Sequence, residues 1–180
     1  GALYVESSTV ALDQTLVYAN DYAPAAAGLA DGGTLELTNS IVVYNNSGAY
    51  DDFDCTTGPC VLETRYTSLW NDTISDDVTV NGTFLELYPE FLDTADADPA
   101  RWDVHLLAQS APVDAGDPAV LDPDGSPSDP GPYGGAEADQ WDLDGDGYPS
   151  WWLPGPYDAA TSPGLDCDDR DPGVYPGNGC

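Results

Sequence analysis

The sequence predicts an all-β protein built as a short parallel β-solenoid, and three observations carry that prediction. The first is texture: residues 1 to about 115 are rich in Val, Leu, Ile, Thr, Tyr and Asn, in short apolar runs broken by Gly and Asn, the pattern of strands and turns. The second is an internal repeat. LDQTLVYAN (Leu12 to Asn20) aligns with LTNSIVVYN (Leu37 to Asn45), with Leu on Leu, Thr15 on Ser40, Leu16 on Ile41, Val17 on Val42 and Asn20 on Asn45, an offset of 25 residues. The third is strand length. Runs of three to five residues are too short to stand as isolated hairpins, but stacked about 4.8 Å apart they pair edge to edge and bury their inward residues in columns. A small antiparallel sandwich also yields many short strands, yet it gives no reason for matched identities at a fixed period.

Taken in order, ALYVESSTVAL opens strand-like and leads into the first repeat, and GTLELTNSIVVYN forms the second. RYTSLWND (Arg65 to Asp72) is a looser third copy, and TFLELYPEFL (Thr83 to Leu92) is a fourth apolar segment. Asn20, Asn45 and Asn71 recur at one corner, where stacked amides can each donate to one neighbour and accept from the other. His105 in WDVHLL alternates with apolar residues and reads as a structural strand histidine.

YVESSTVALDQTLVYAN, GTLELTNSIVVYN and DVHLLAQSAPVDAGDP, followed by DPDGSPSDPGPYGG, resemble the last coils and closing segment of secreted bacterial right-handed parallel β-helix proteins of the pectate-lyase-like superfamily. The likeness spans about residues 3 to 135. Ser110-Ala111-Pro112 departs from the usual Ser-Pro, whereas Val113-Asp114-Ala115-Gly116 fits. It implies a right-handed parallel β-helix over 1–135 and an irregular Asp/Pro/Gly-rich segment over 136–180; it implies no activity, because the superfamily includes enzymes and inert scaffolds.

Charge narrows the partners. The chain of 180 residues carries 33 Asp and Glu against three basic residues, a formal net charge of -30. Such a surface repels nucleic acid and anionic lipid, which leaves cations, neutral glycans or further copies of the chain. No apolar run approaches the roughly 20 residues that span a bilayer. Gly1 and the lack of methionine point to a processed, exported chain at the cell surface or outside it. Four cysteines pair most simply as two local disulfides, Cys55 with Cys60 and Cys167 with Cys180, although four allow three connectivities and sequence does not choose. Zinc is the rival use of these cysteines, but neither pair has zinc-ligand spacing and His105 lies far from both.

The C-terminal segment carries the clearest chemistry. In DLDGDGY, Asp142, Asp144 and Asp146 take the first, third and fifth places of a loop that Tyr148 closes, and Gly145 and Gly147 permit the turns that bring alternate carboxylates to one centre. Calcium takes six to eight oxygens. An EF-hand would need a Glu at the twelfth place, where this chain has Leu153, so Asp166, Asp168, Asp169 and Asp171 of DCDDRDPG are the expected suppliers of the rest, with Asp158 a further candidate. The two halves are similar to an Asp-rich metal-binding motif appended to many secreted bacterial proteins, related in style to thrombospondin-type calcium repeats. Asp122, Asp124 and Asp129 in LDPDGSPSD are candidates for another calcium, against a plain turn. Asp51, Asp52 and Asp54 in YDDFDC read as a surface run, with a metal role as the alternative.

Enzyme chemistry is not expected. The three basic residues, Arg65, Arg101 and Arg170, sit in no lyase pattern, and with so many carboxylates a paired-acid argument has no weight. The expected function is an extracellular calcium-binding structural protein. Its strand-like start, with no cap ahead of it, suggests end-to-end stacking of copies into a filament or scaffold. The alternative is a glycan-binding or glycan-cleaving module using Trp151 and Trp152.

Overall fold

The computed structural model describes residues 2–20, 26–45, 51–107, 110–122, 125–136, 148, 164–168 and 171–180. Strands β1 (Leu3–Glu6), β2 (Thr9–Asp13) and β3 (Leu16–Tyr18) are followed by β4 (Ala27–Ala30), β5 (Thr34–Thr38) and β6 (Ile41–Val43), then by β7 (Phe53–Cys55) and the long β8 (Cys60–Trp70). Each set lies beside the one before it. β1, β4 and β7 form one parallel ladder, with Val5 on Leu29 and Leu29 on Cys55. β2, β5 and the first half of β8 form a second, with Leu12 on Leu37 and Leu37 on Thr64. β3, β6 and the second half of β8 continue it past a corner, with Val17 on Val42 and Val42 on Leu69. The fold is therefore all-β with parallel pairing, and the first two sets keep the register that the repeat predicts.

The corners explain how so short a repeat turns. A left-handed residue bends the chain at each corner, and these residues recur from pass to pass. Ser7, Asp31 and Gly58 follow β1, β4 and β7; Gln14, Asn39 and Tyr66 separate the second and third strand positions; Ala19, Tyr44 and Asn71 end each pass. A non-glycine residue in this region costs roughly 1–2 kcal/mol, least for Asn and Asp. The ladders on either side hold it there.

The amide ladder differs from expectation at its third rung. Asn20 Nδ2 donates to Asn45 Oδ1 at 3.0 Å, and Asn45 Nδ2 donates to Asp72 Oδ1 at 3.4 Å. Asn71 takes the left-handed corner instead, because the third pass is two residues longer: Val43 pairs with Tyr18 but also with Trp70. One extra residue is in place by β7, where Ala27 pairs with Phe53, and the other enters between β7 and β8, where Cys55 and Cys60 bracket a loop, joined by a disulfide with Cα atoms 6.0 Å apart.

Inward residues form one apolar column set: Val5, Leu29, Leu35, Leu37, Val42, Phe53, Leu62 and Leu69 are all buried. β6 is buried on both faces, since Ile41 and Val43 point outward onto a second cluster with Leu106. After β9 (Val78–Leu85), which pairs in parallel with β8, the pattern changes. The apolar segment Thr83 to Leu92 divides: its start completes β9 and continues the parallel stack, with Phe84 on Thr67 and Leu85 on Ser68, whereas Phe91 opens β10 (Phe91–Asp93), which runs antiparallel to β11 (Asp103–Leu106). The closing segment 110–136 lies along the flank, where Gly131 N–H donates to Asn39 O at 2.7 Å, Asp117 N–H to Asn39 Oδ1 at 2.8 Å, and Gln14 Nε2 to Ser128 Oγ at 2.9 Å.

Candidate metal centre

The C-terminal piece is held by turns and a crosslink. Cys167 and Cys180 form a disulfide with Cα atoms 5.9 Å apart. Tyr175 and Asn178 exchange backbone hydrogen bonds of 2.8 and 2.7 Å, and Asn178 Nδ2 donates to Gly173 O at 2.7 Å. Asp171 caps its own turn by accepting from Gly173 N–H at 3.0 Å, and its N–H donates to Asp168 O at 3.0 Å.

Within this piece Asp166 stands apart, at 0% exposure. Its Oδ1 accepts from Asp168 N–H at 3.0 Å, while its Oδ2 is buried with no hydrogen-bond partner. A buried carboxylate oxygen without a donor costs free energy unless a proton or a cation satisfies it. Asp166, Cys167 and Cys180 bring ligand-type atoms within 4.8 Å of one another, but both sulfurs are used in the disulfide. The donors left are oxygens, which fits a hard cation and not zinc. Tyr148, at the close of DLDGDGY, stacks on Tyr175 with ring centroids 5.1 Å apart and planes 5° from parallel, so the end of the first half meets the second. Asp142, Asp144, Asp146, Asp158 and Asp169 lie outside the described residues, as do Trp151 and Trp152.

Asp122 and Asp129 are placed by a different logic. Both are buried, and both accept backbone N–H groups of the closing segment: Gly135 at 2.5 Å and Asp129 at 3.2 Å on Asp122, and Asp114 at 2.7 Å on Asp129. They tie the segment's turns together. Asp124 lies outside the described residues.

YDDFDC is not a plain surface run. Asp52 is 0% exposed. Its carbonyl accepts from Ala26 and Ala27 N–H at 3.0 and 2.9 Å, and its Oδ2 accepts from Thr73 N–H at 2.6 Å and Thr73 Oγ1 at 3.2 Å. Asp52 Oδ1 and Asp72 Oδ2 are both buried without a hydrogen-bond partner. Burial, opposed by the hydrogen bonds from Thr73, pushes the Asp52 carboxyl above its ordinary value. Burial first, and the nearby Asp52 charge second, push Asp72 up to about 7. Sequence reasoning passed over Asp72 because it sought an asparagine on that rung; the two-residue lengthening of the third pass was the available signal.

An aromatic groove of about 410 Å³ is lined by Tyr18, Tyr44, Tyr88, Glu90, Phe91 and Thr94. Tyr18 meets Tyr44, Phe91 and Trp102 edge-on at 5.0–5.7 Å, and Tyr88 is 43% exposed. Burial, then a hydrogen bond with Tyr88, raises the Tyr44 hydroxyl to about 12. His105 pairs with Asp103 through Nδ1 and stacks on Tyr133 at 3.6 Å, which packs β11 against the closing segment.

Compared with protein-family models, with curated proteins and with solved structures, the chain gives no match to any of the three. Among the described residues no helix is long and apolar enough to cross a membrane. The two disulfides suit an oxidising compartment rather than the cytoplasm.

Proposed function

We propose that this chain is an extracellular calcium-binding structural protein: a right-handed parallel β-helix whose Asp-rich C-terminal segment is ordered by calcium. Asp166 carries this reading, as a fully buried carboxylate with one oxygen left without a donor, immediately before a disulfide-closed loop whose remaining donors are oxygens. The stack of Tyr148 on Tyr175 supports contact between the two halves of the motif, so that Asp142, Asp144 and Asp146 act with Asp166, Asp168, Asp169 and Asp171. Calcium supplies the charge that lets these carboxylates converge, and the disulfide lowers the entropy lost in ordering them. Calorimetric titration of the chain with CaCl2 tests this. Binding is expected, with protection of the segment from proteolysis, and Asp166→Asn should lose that protection together with the site that confers it. The same number of sites and the same protection in wild type and variant would sink the assignment of Asp166.

The same reading extends to assembly. β1, β2 and β3 each pair with one strand among the described residues, which leaves a row of unpaired backbone groups on their outer edges. A second copy stacked on that edge would continue the parallel ladders and propagate a filament or surface scaffold. Light scattering and negative-stain microscopy in millimolar calcium, then after chelation, check it: filaments that dissolve support the proposal, and a monomer in both conditions refutes it.

A glycan-binding role is the second reading, favoured by the tyrosine-lined groove with Glu90 at its wall. Aromatic faces stack on sugar rings, and a net charge of -30 selects neutral polymers over polyuronates. Retardation on immobilised neutral polysaccharide, lost in Tyr88→Ala, is the expected result; equal retardation of both proteins would remove the groove from consideration.

A further inference from the structure

The corner formed by Asp52 and Asp72 poses a problem the rest of the fold does not. Position 72 is a rung of the amide ladder, and an asparagine there would accept from Asn45 as Asp72 does while still having an N–H to donate. The chain instead places an acid on that rung, beside a second acid with no exposure at all. Asp52 Oδ2 is engaged by Thr73 and Asp72 Oδ1 by Asn45, so the unpartnered oxygens are one from each carboxylate, Asp52 Oδ1 and Asp72 Oδ2. The charges of the two groups act on one another across the corner. Arg101 is engaged elsewhere, by Asp96 at 3.6 Å and Asp98 at 3.9 Å, and Arg65 is exposed on β8.

Two carboxylates with their unpartnered oxygens buried call for a counter-charge, and neither arginine among the described residues supplies it. We propose that Asp52 Oδ1 and Asp72 Oδ2 are carboxylate ligands of a second divalent hard cation, of the calcium or magnesium kind, bound in the β body and independent of the C-terminal segment. Hard cations prefer carboxylate oxygen, and water fills the positions that the two acids do not. With two protein carboxylates the affinity belongs with extracellular modules, in the range of about 0.1–1 mM. Because this corner joins β7, the β8–β9 connection and the ladder from Asn20, the ion would clamp all three passes at one edge.

The test is thermal unfolding of the full chain at pH 8, with and without millimolar CaCl2 or MgCl2, for wild type, Asp166→Asn, Asp52→Asn and Asp72→Asn. At tenfold excess over the dissociation constant, the cation should raise the midpoint of wild type and of Asp166→Asn by about 3–6 °C. Asp72→Asn should lose that rise and, in chelator, should melt above wild type because the unpartnered charge is gone while the ladder bond to Asn45 remains. Asp52→Asn is the second variant, since its amide oxygen still accepts from Thr73. Calorimetry on the same proteins should find one site fewer in each corner variant. A calcium response that survives in Asp72→Asn and vanishes in Asp166→Asn overturns the proposal by confining the ion to the C-terminal segment. A wild-type protein that ignores both cations at pH 8 and gains stability only on acidification overturns it too, in favour of a proton as the counter-charge.

Discussion

The β body and the C-terminal segment are both acidic, yet they are held by different forces. In the body, Leu29, Leu35, Leu37, Val42, Phe53 and Leu62 are almost wholly removed from water, and parallel ladders join every pass to the next. In the described part of the segment after residue 163, the buried side chain is a carboxylate, Asp166, and the chain is secured by Cys167–Cys180 and by turns. Apolar burial needs no counter-ion, so charge can be placed freely on the outside of the body. Around Asp166 a buried carboxylate stands where the body would place an apolar side chain, and a buried carboxylate costs free energy unless something satisfies it. The Asp52–Asp72 corner is where the second logic enters the first region.

The sharpest break in this comparison is a core truncation. Leu37→Ala should cost about 3–5 kcal/mol in denaturant unfolding, since both neighbouring passes pack on it. Asp171→Asn, on the exposed turn of the segment, should leave the same transition unmoved.

The pH dependence of the body comes next. Asp72 lies at about 7 when folded and at 3.8 ordinarily, so between these values the folded state holds a proton that the unfolded state has released. Stability in chelator should be fully present below about pH 4 as far as this group is concerned, and should be lost as pH rises through 7, by about 4 kcal/mol at most. Urea unfolding at a series of pH values checks this. Asp72→Asn should flatten the profile, and an unchanged slope in the variant would assign the titration elsewhere.

Reducing Cys167–Cys180 should release about 3 kcal/mol of loop-closure restraint, by the length of the loop it closes. Its effect should appear as protease sensitivity of the segment, with the unfolding transition of the body unchanged. A joint loss of both would mean that the two regions fold as one unit. A smaller effect concerns the closing segment: a Cβ at Gly116 would stand 2.2 Å from Ser128 O, so Gly116→Ala should cost about 1–3 kcal/mol, read as a lowered midpoint.

Much of the body was legible in the residues. Leu12 on Leu37, Leu16 on Ile41 and Val17 on Val42 follow from matched side chains alone, because stacked strands place equivalent residues in one column. The third pass was harder. Ser68, Leu69, Trp70 and Asn71 suggested an asparagine rung, but extra residues, one before β7 and one in the loop bracketed by Cys55 and Cys60, put Asn71 at the corner and Asp72 on the rung. Thr83 to Leu92 begins as a further parallel strand and ends in an antiparallel one, and apolar content does not distinguish the two. Of the metal candidates, Asp166, Asp168 and Asp171 share one loop, and Asp122 and Asp129 accept backbone N–H groups in another. Nothing in the spacing of LDPDGSPSD separates a ligand from a turn cap.

The sequence by itself determined that the chain is all-β, that its strands are short and repeat, that its cysteines lie in close pairs, and that its net charge is strongly negative. These follow from local pattern and net charge, which hold whatever the tertiary arrangement. The tertiary structure alone decided which acids lose water. Asp51, Asp52 and Asp54 are neighbours of one residue type, but only Asp52 is drawn beneath Ala26 and against Thr73. Burial of a carboxylate depends on what the next pass of the chain places above and below it, and that is a property of register, set by side chains far away in the sequence.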